Sequence, residues 1–306
     1  MTAFEQVEDF LTFSSLISIC IATSLVYWIM SLSSSSKKDT FVNDPKAFLQ
    51  YQPYEPPATL WSDLKVIKAM WFAKITGTDL QERLDSFYEN QADLYDSYRF
   101  RMLHGRPKML QGVARHVSPS TSTDGIVWVD LACGTGANVE NFGKSVREGK
   151  ISRVYLVDLC QPLCKVAKRE RGEKYGSNVV KVLHGDVTNF ELEGLPPANS
   201  VDLVTISYSL VMIPAWEKCI QNAKRLLKPG GVIGVTDFTV APDQSNLSQK
   251  FWKDTFAKDH VFLDAEHLNA LKREFEEVEA AHDYGTLPYT PFFLKAAYYH
   301  FIGKKK

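Results

Sequence analysis

One apolar run closes in Asp130-Leu131-Ala132-Cys133-Gly134-Thr135-Gly136-Ala137-Asn138, and the next two close in Asp158-Leu159 and in His184-Gly185-Asp186-Val187. Glycine at such a turn lets the backbone pass close to a ligand, while the N–H groups of a following helix stay free to meet it. A carboxylate roughly 20 residues beyond the glycines, here Asp158, can accept both hydroxyls of a ribose. Asp186 and Val187 then stand where an adenine amino edge and face can rest, and Ser207-Tyr208 ends a fourth apolar run. The third glycine of the fingerprint G-x-G-x-x-G is missing, which speaks against a nicotinamide dinucleotide.

For these residues to meet, the runs that carry them must lie side by side. IVWVDLA, RVYLVDL, VVKVLHG, VDLVTISYSL and GVIGVTDF alternate with helical stretches, the pattern of a parallel sheet with helices on both faces. Each run is nearly continuous in apolar residues, as strands buried on both faces require. VEAAHDY and AAYYHFIG, around Pro288 and Pro291, add an antiparallel terminal pair. The expected fold is α/β, a doubly wound sheet of seven strands with antiparallel terminal strands. Upstream, Trp61 to about Lys74 and Asp79 to about Leu103 have helical periodicity, with Thr78 or Asp79 as cap, and carry an aromatic and ionic cluster, FYENQADLYDSYRFR.

Among the 306 residues, Lys+Arg 35 against Asp+Glu 36 gives a formal net charge of -1, with 45% hydrophobic residues. That balance removes the disordered classes and the basic excess that nucleic-acid binding needs, so no nucleic-acid partner is expected. The five cysteines suggest no bridge framework, which fits a reducing compartment. Cys160 and Cys164 lie one helical turn apart without further ligands beside them, so no metal is expected, and His104, His116 and His184 read as structural.

Phe10 to Met30 contains no charged residue and is long enough to span hydrocarbon; Tyr27-Trp28 suits the interface, and Lys37 and Lys38 put the downstream chain on the cytosolic side. The expected organisation is a tail at 1–9, a transmembrane anchor at 10–32, a linker at 33–58 and a catalytic domain at 59–306. Within that domain, 59–120 is expected to hold N-terminal helices, 126–238 the cofactor core, and 239–277 a substrate-side insertion. A single-pass protein of the endoplasmic reticulum membrane is the expected setting.

From Trp128 to Phe238 the order and spacing of these motifs, ending in Lys228-Pro229-Gly230-Gly231 before the fifth run, resemble the class I S-adenosylmethionine-dependent methyltransferases, whose fold is Rossmann-like. The resemblance implies S-adenosyl-L-methionine as cofactor. It implies Asp130, Ala132, Gly134 and Gly136 around its methionine part, Asp158 with Leu159 at the ribose, Asp186 with Val187 at the adenine, and Ser207 nearby. Ala132 stands where this pattern often has glycine.

The flanking segments narrow the family. FYENQADLYDSYRFRMLHGRPKML, WVDLACGTGANVENF, VYLVDLCQPLCKVAKRE, FWKDTFAKDHVFLDAEHL and YGTLPYTPFFLKAAYYHFIG are similar to the methyltransferase (BtaB-like) half of betaine-lipid synthase, with Cys160 where such sequences are expected to have Ser. The implied reaction is three successive methyl transfers to diacylglyceryl-homoserine, a lipid substrate in the bilayer, giving diacylglyceryl-N,N,N-trimethylhomoserine. A methylated ammonium is best held by aromatic faces, for which Tyr95, Tyr98 and Tyr208 are the candidates, and Arg99 or Arg101 can pair the substrate carboxylate. His184 is a conceivable base. The resemblance also implies an aminocarboxypropyl transferase as a separate partner or as a further domain of a longer synthase. The terminal Lys304, Lys305 and Lys306 read as a solvated tail. Other acceptors, namely phosphoethanolamine-type head groups or a quinone ring, remain alternatives, as does a membrane-tethered protein that binds the cofactor without turnover.

Overall fold

Alternate residues of the apolar runs serve two different cores. In β1 (Ile126–Leu131), Ile126 and Trp128 pack on one face of the sheet and Val129 and Leu131 on the other. In β2 (Ile151–Asp158), Val154 and Leu156 join the first cluster and Tyr155 and Val157 the second. β4 (Val201–Ser207) is buried along its whole length, as a central parallel strand covered on both sides must be. With β3 (Val180–His184), β5 (Leu227–Phe238), β6 (Glu276–Thr286) and β7 (Lys295–Lys304), the order across the sheet is β3-β2-β1-β4-β5-β7-β6. The first five pair in parallel, and β7 inserts antiparallel to β5, as the sequence predicts for the terminal strands.

The computed structural model describes residues 47–72, 75–119, 125–257, 260–288 and 294–306. The expected tail, the anchor at 10–32 and the linker as far as residue 46 lie outside the described residues. Among the described residues, no helix is long and apolar enough to cross a membrane. Residues 43–285 with 296–306 form one compact unit, which holds the sheet and the site.

The upstream helices are α1 (Leu60–Phe72), α2 (Leu80–Tyr88), α3 (Tyr95–Arg99) and α4 (Gly105–His116). Asp79 caps α2 as expected, its side chain accepting from the Glu82 N–H. The single helix predicted from Asp79 to Leu103 is instead broken by a turn and a 3-10 segment, Ala92–Leu94. The break lets Phe87, Tyr88 and Ala92 pack together on Leu163 and Val166 of α6 (Gln161–Ala167). α4 lies within 59–120, where N-terminal helices are expected, beyond the periodicity that ends at about Leu103. Its first N–H, on Gly105, has no partner within the helix and is satisfied by the Tyr208 hydroxyl at 2.8 Å. Beyond β5, α8 (Asn246–Ala257) and α9 (Glu266–Glu274) fill the segment read as an insertion; α5 (Gly143–Arg147) and α7 (Trp216–Leu226) complete the helices around the core.

Candidate functional site

The parallel register decides which side chains can meet at the carboxyl edge. Asp130 on β1 lies beside Thr205 on β4, and both point to the same face. The Thr205 hydroxyl donates to Asp130 Oδ1 at 2.5 Å and accepts from the Trp128 indole N–H at 2.8 Å. The Asn138 amide donates to both Asp130 oxygens, at 3.1 and 3.2 Å, and to Ser207 Oγ at 3.1 Å. Asp130 is wholly buried, and burial pushes its carboxyl up from 3.8 to about 6, opposed by the Thr205 and Asn138 hydrogen bonds and by the charge of Arg106. Asp130 therefore shapes the loop through Asn138 and Ser207.

The loop itself is held open by backbone conformation. Gly134 and Gly136 have φ of 58° and 70°, in the left-handed region that glycine enters freely. A Cβ on Gly136 would fall 2.5 Å from Leu156 Cδ1, so packing also demands glycine there. At Gly134 the nearest atoms would be 3.9 Å away, on Tyr95, leaving room over the loop. Ala132 also sits at positive φ, 51°, where the common family glycine would rest without strain.

Asp158 ends β2 almost fully buried, and burial raises its pKa. Its Oδ2 accepts from the Gly134 N–H at 2.7 Å and its Oδ1 from the Cys160 N–H at 2.8 Å. It thus caps the chain entering α6 and still keeps one lone pair on each oxygen, the number two ribose hydroxyls require. Leu159 is half-buried beside it, and its carbonyl meets His184 Nε2 at 2.9 Å. Asp186 is exposed at the end of β3, with Oδ1 committed to the Thr188 N–H and hydroxyl, both at 2.8 Å. Val187 is buried in the core cluster with Leu210 and Ile206.

The residues expected at the acceptor divide. Tyr95 lies over the cofactor loop. Its ring meets Tyr88 edge-on at 5.7 Å between centroids, and the Arg99 guanidinium stands 5.4 Å above it. Tyr98 is instead buried, under the Arg101 guanidinium at 5.8 Å, and serves helix packing. Arg101 is ion-paired with the buried Asp63 of α1, which takes the charge that the sequence assigns to a substrate carboxylate. Tyr208, at φ 56°, spends its hydroxyl on the Gly105 N–H and its ring on Phe238, 4.7 Å away. Tyr98, Arg101 and Tyr208, expected at the acceptor, each have a partner within the chain: Tyr98 lies under Arg101, Arg101 pairs with Asp63, and Tyr208 meets Gly105 and Phe238. His184 is likewise tied to a backbone carbonyl.

Several residues went unread in the sequence. Asp96 accepts from the Thr135 hydroxyl at 2.5 Å and from the buried Arg171 at 2.8 Å, and Arg171 also faces Glu140 at 3.4 Å. That network closes α3 onto the glycine loop. Asn138 carries a buried Oδ1 without a partner among the described residues. A short polar side chain just past a glycine turn was the only signal for Asn138. Asp96 and Arg171, 75 residues apart, left none. Among the described residues there is no cluster of metal-ligating side chains.

A doubly wound sheet with two left-handed glycines at the end of its first strand and a carboxylate at the end of its second defines a nucleoside-cofactor enzyme of the α/β class. Residues 129–235 match the family model described as a methyltransferase domain. The ubiquinone/menaquinone biosynthesis C-methyltransferase UbiE of Hydrogenovibrio crunogenus is 28% identical over 214 residues, 70% of this chain and 77% of that protein. The 2-phytyl-1,4-naphtoquinone methyltransferase of Nostoc punctiforme is 24% identical over 204 residues, 67% of this chain and 84% of that one. In fold, the chain is similar to geranyl diphosphate C-methyltransferase from Streptomyces coelicolor, solved with S-adenosyl-L-homocysteine, with a TM-score of 0.55 at 16% identity over 75% of this chain and 99% of that one. It is also similar to a phosphoethanolamine N-methyltransferase from Haemonchus contortus, with a TM-score of 0.53 at 16% identity, covering 75% of this chain and 60% of that one. The protein is a class I S-adenosylmethionine-dependent methyltransferase. Its residues fit that cofactor: the space over Gly134, the free lone pairs of Asp158 and the orphaned Asn138 oxygen are what an adenosyl amino acid would use.

Proposed function

We propose that this methyltransferase acts on a membrane-lipid amine, taking diacylglyceryl-homoserine stepwise to diacylglyceryl-N,N,N-trimethylhomoserine. The observation that carries the reading is the aromatic wall at the cofactor loop. Tyr95 borders the space over Gly134, packs edge-on against Tyr88, and already holds a cation, Arg99, above its ring. Each methyl group added to an amine removes an N–H donor, so the later intermediates depend on ring faces rather than hydrogen bonds. The similarity of the flanking segments to betaine-lipid synthase supports the same acceptor.

A lipid acceptor also accounts for apolar surface beyond β5. Leu247 and Phe251, one turn apart on α8, are 80% and 46% exposed, and Phe262 is 60% exposed. Such side chains suit contact with a bilayer surface. When bound, S-adenosylmethionine supplies an electrophilic sulfonium methyl group. The chain's part is to hold the amine in line and, by withdrawing it from water, to favour its unprotonated form, whose lone pair attacks, while the ring faces hold the methylated ammonium that results. The homoserine lipid would come from an aminocarboxypropyl transfer by a partner or a further domain.

A quinone ring is the second reading, favoured by the quinone methyltransferases among the relatives. One experiment separates the two. The full chain in mixed micelles is given labelled S-adenosylmethionine with diacylglyceryl-homoserine or with a demethylated quinol, and the products are identified by mass spectrometry. Mono-, di- and trimethylated homoserine lipid supports the proposal, whereas label in the quinone alone rejects it for the second reading.

A further inference from the structure

The two sides of α1 carry different chemistry. On one, Asp63 and Val66 are buried, and Asp63 holds Arg101 in an ion pair where α1 packs against α3. On the other, Trp61, Leu64, Lys65 and Lys68 are all exposed, and at 3.6 residues per turn they share one arc of about 100°. Trp61 is 75% exposed and Leu64 46%, although tryptophan is mostly buried on average. Lys65 and Lys68 make no ion pair among the described residues, and the one acid of the helix, Asp63, faces inward. The helix is already closed at its start: the Thr59 N–H donates to Ser62 Oγ at 2.9 Å and the Ser62 N–H to Thr59 Oγ1 at 3.1 Å.

That combination selects the occupant of the face. Two apolar side chains fall well short of the about 800 Å² per partner that a stable protein interface buries. A lipid surface asks for less area. An indole and a leucine can enter its headgroup region while the lysine stems lie along them and the ammonium groups reach anionic lipids. Only residues 31–60 separate the helix from the uncharged run Phe10 to Met30, so a chain held in the bilayer by that run keeps α1 within reach of the surface.

We infer that α1 docks the catalytic unit on an anionic lipid surface through Trp61, Leu64, Lys65 and Lys68. This deepens the reading of a membrane-lipid acceptor, on which it rests. Asp63 pins α1 to Arg101, just past the helix that carries Tyr95, and Tyr95 borders the space over Gly134. Contact at α1 therefore brings that aromatic wall to the bilayer from which the acceptor comes.

The full chain is mixed with vesicles of brominated phosphatidylcholine, alone or with phosphatidylserine, and tryptophan fluorescence is measured. Subtracting the signal of Trp61→Tyr isolates Trp61, because tyrosine keeps the interfacial character and leaves the other tryptophans in the same surroundings. Quenching of Trp61 is expected to grow with phosphatidylserine, and Lys65→Gln with Lys68→Gln should lower the docked-to-free ratio by about fivefold per lysine. The replaced side chains are all exposed, and circular dichroism confirms that the variants keep the fold. Quenching absent from both vesicles, or equal in both and unmoved by the lysine changes, overturns the inference. A Trp61 emission shift that follows protein concentration without lipid gives the face to a second copy of the chain and overturns it as well. No acceptor is present in this measurement, so failure to methylate the homoserine lipid leaves it untouched and the two readings fail separately.

Discussion

The Thr135 hydroxyl donates to Asp96 Oδ1 across 2.5 Å, tying the glycine loop to a helix 39 residues earlier in the chain. Through Asp96 the tie continues to Arg171, which is 3% exposed and also faces Glu140. Three segments that share no local pattern thereby close one side of the cofactor site.

Arg171→Met should therefore cost more than the loss of a surface ion pair. It leaves Asp96 and Glu140 without their buried cation, and breaking such a pair costs about 3–5 kcal/mol. Urea unfolding of the variant checks this; a midpoint within error of the parent would show that the network contributes no net stability.

Asp158→Ala removes the acceptor of the Gly134 N–H along with the lone pairs offered to ribose. Charge-assisted hydrogen bonds are worth about 1.5–3 kcal/mol, so S-adenosylhomocysteine should bind about tenfold weaker or worse. Calorimetry reads the affinity, and a parallel thermal melt reads how much of the change is folding.

Gly105→Ala places a Cβ 2.1 Å from Thr236 Oγ1 and 2.8 Å from Tyr298. Neither neighbour lies in open space, because Thr236 is buried and bonded to the Tyr299 carbonyl. Overpacking of this kind costs about 1–3 kcal/mol, to be seen as a lower melting temperature in circular dichroism.

Asp237 gives stability a pH slope. Burial raises its carboxyl from 3.8 to about 7, against backbone N–H groups of Phe238, Val211 and Ser209 that pull it down. As pH rises between those values, the unfolded chain releases a proton that the folded chain retains. This group's contribution to stability therefore falls from about pH 4 to about pH 7. Asp237→Asn should flatten that slope in urea midpoints measured across the window; an identical slope in parent and variant would sink the assignment.

Tyr95→Phe keeps the ring face and Tyr95→Ala removes it. If the ring holds the methylated ammonium, Phe retains trimethylation of the homoserine lipid, while Ala slows it by about threefold to thirtyfold, as loss of a cation–π contact worth about 0.5–2 kcal/mol would. Product distributions by mass spectrometry show this most directly, since Ala should accumulate the mono- and dimethyl lipids.

What the sequence determined by itself is local and periodic. IVWVDLA or VDLVTISYSL must be strands buried on two faces, glycines at 134 and 136 must make a left-handed turn, and a carboxylate at the end of the second strand must lie beside it. Those signals sufficed for the sheet, its antiparallel end and the cofactor. The helix from Asp79 to Leu103 came out broken because packing of Phe87 and Tyr88 on α6 outweighed continuous backbone periodicity. The division of the side chains was decided only by tertiary structure. Tyr95 and Tyr98 look alike in the sequence, yet one reaches the cofactor loop and the other is buried under Arg101. Arg101, which the sequence marks for a substrate carboxylate, meets Asp63, whereas Arg106, which no pattern marks, lines a cavity. The reason is physical: a strand or turn is specified by neighbours within a few residues, whereas the partner of a charge or hydroxyl is chosen by whichever distant segment the sheet order brings within about 3 Å.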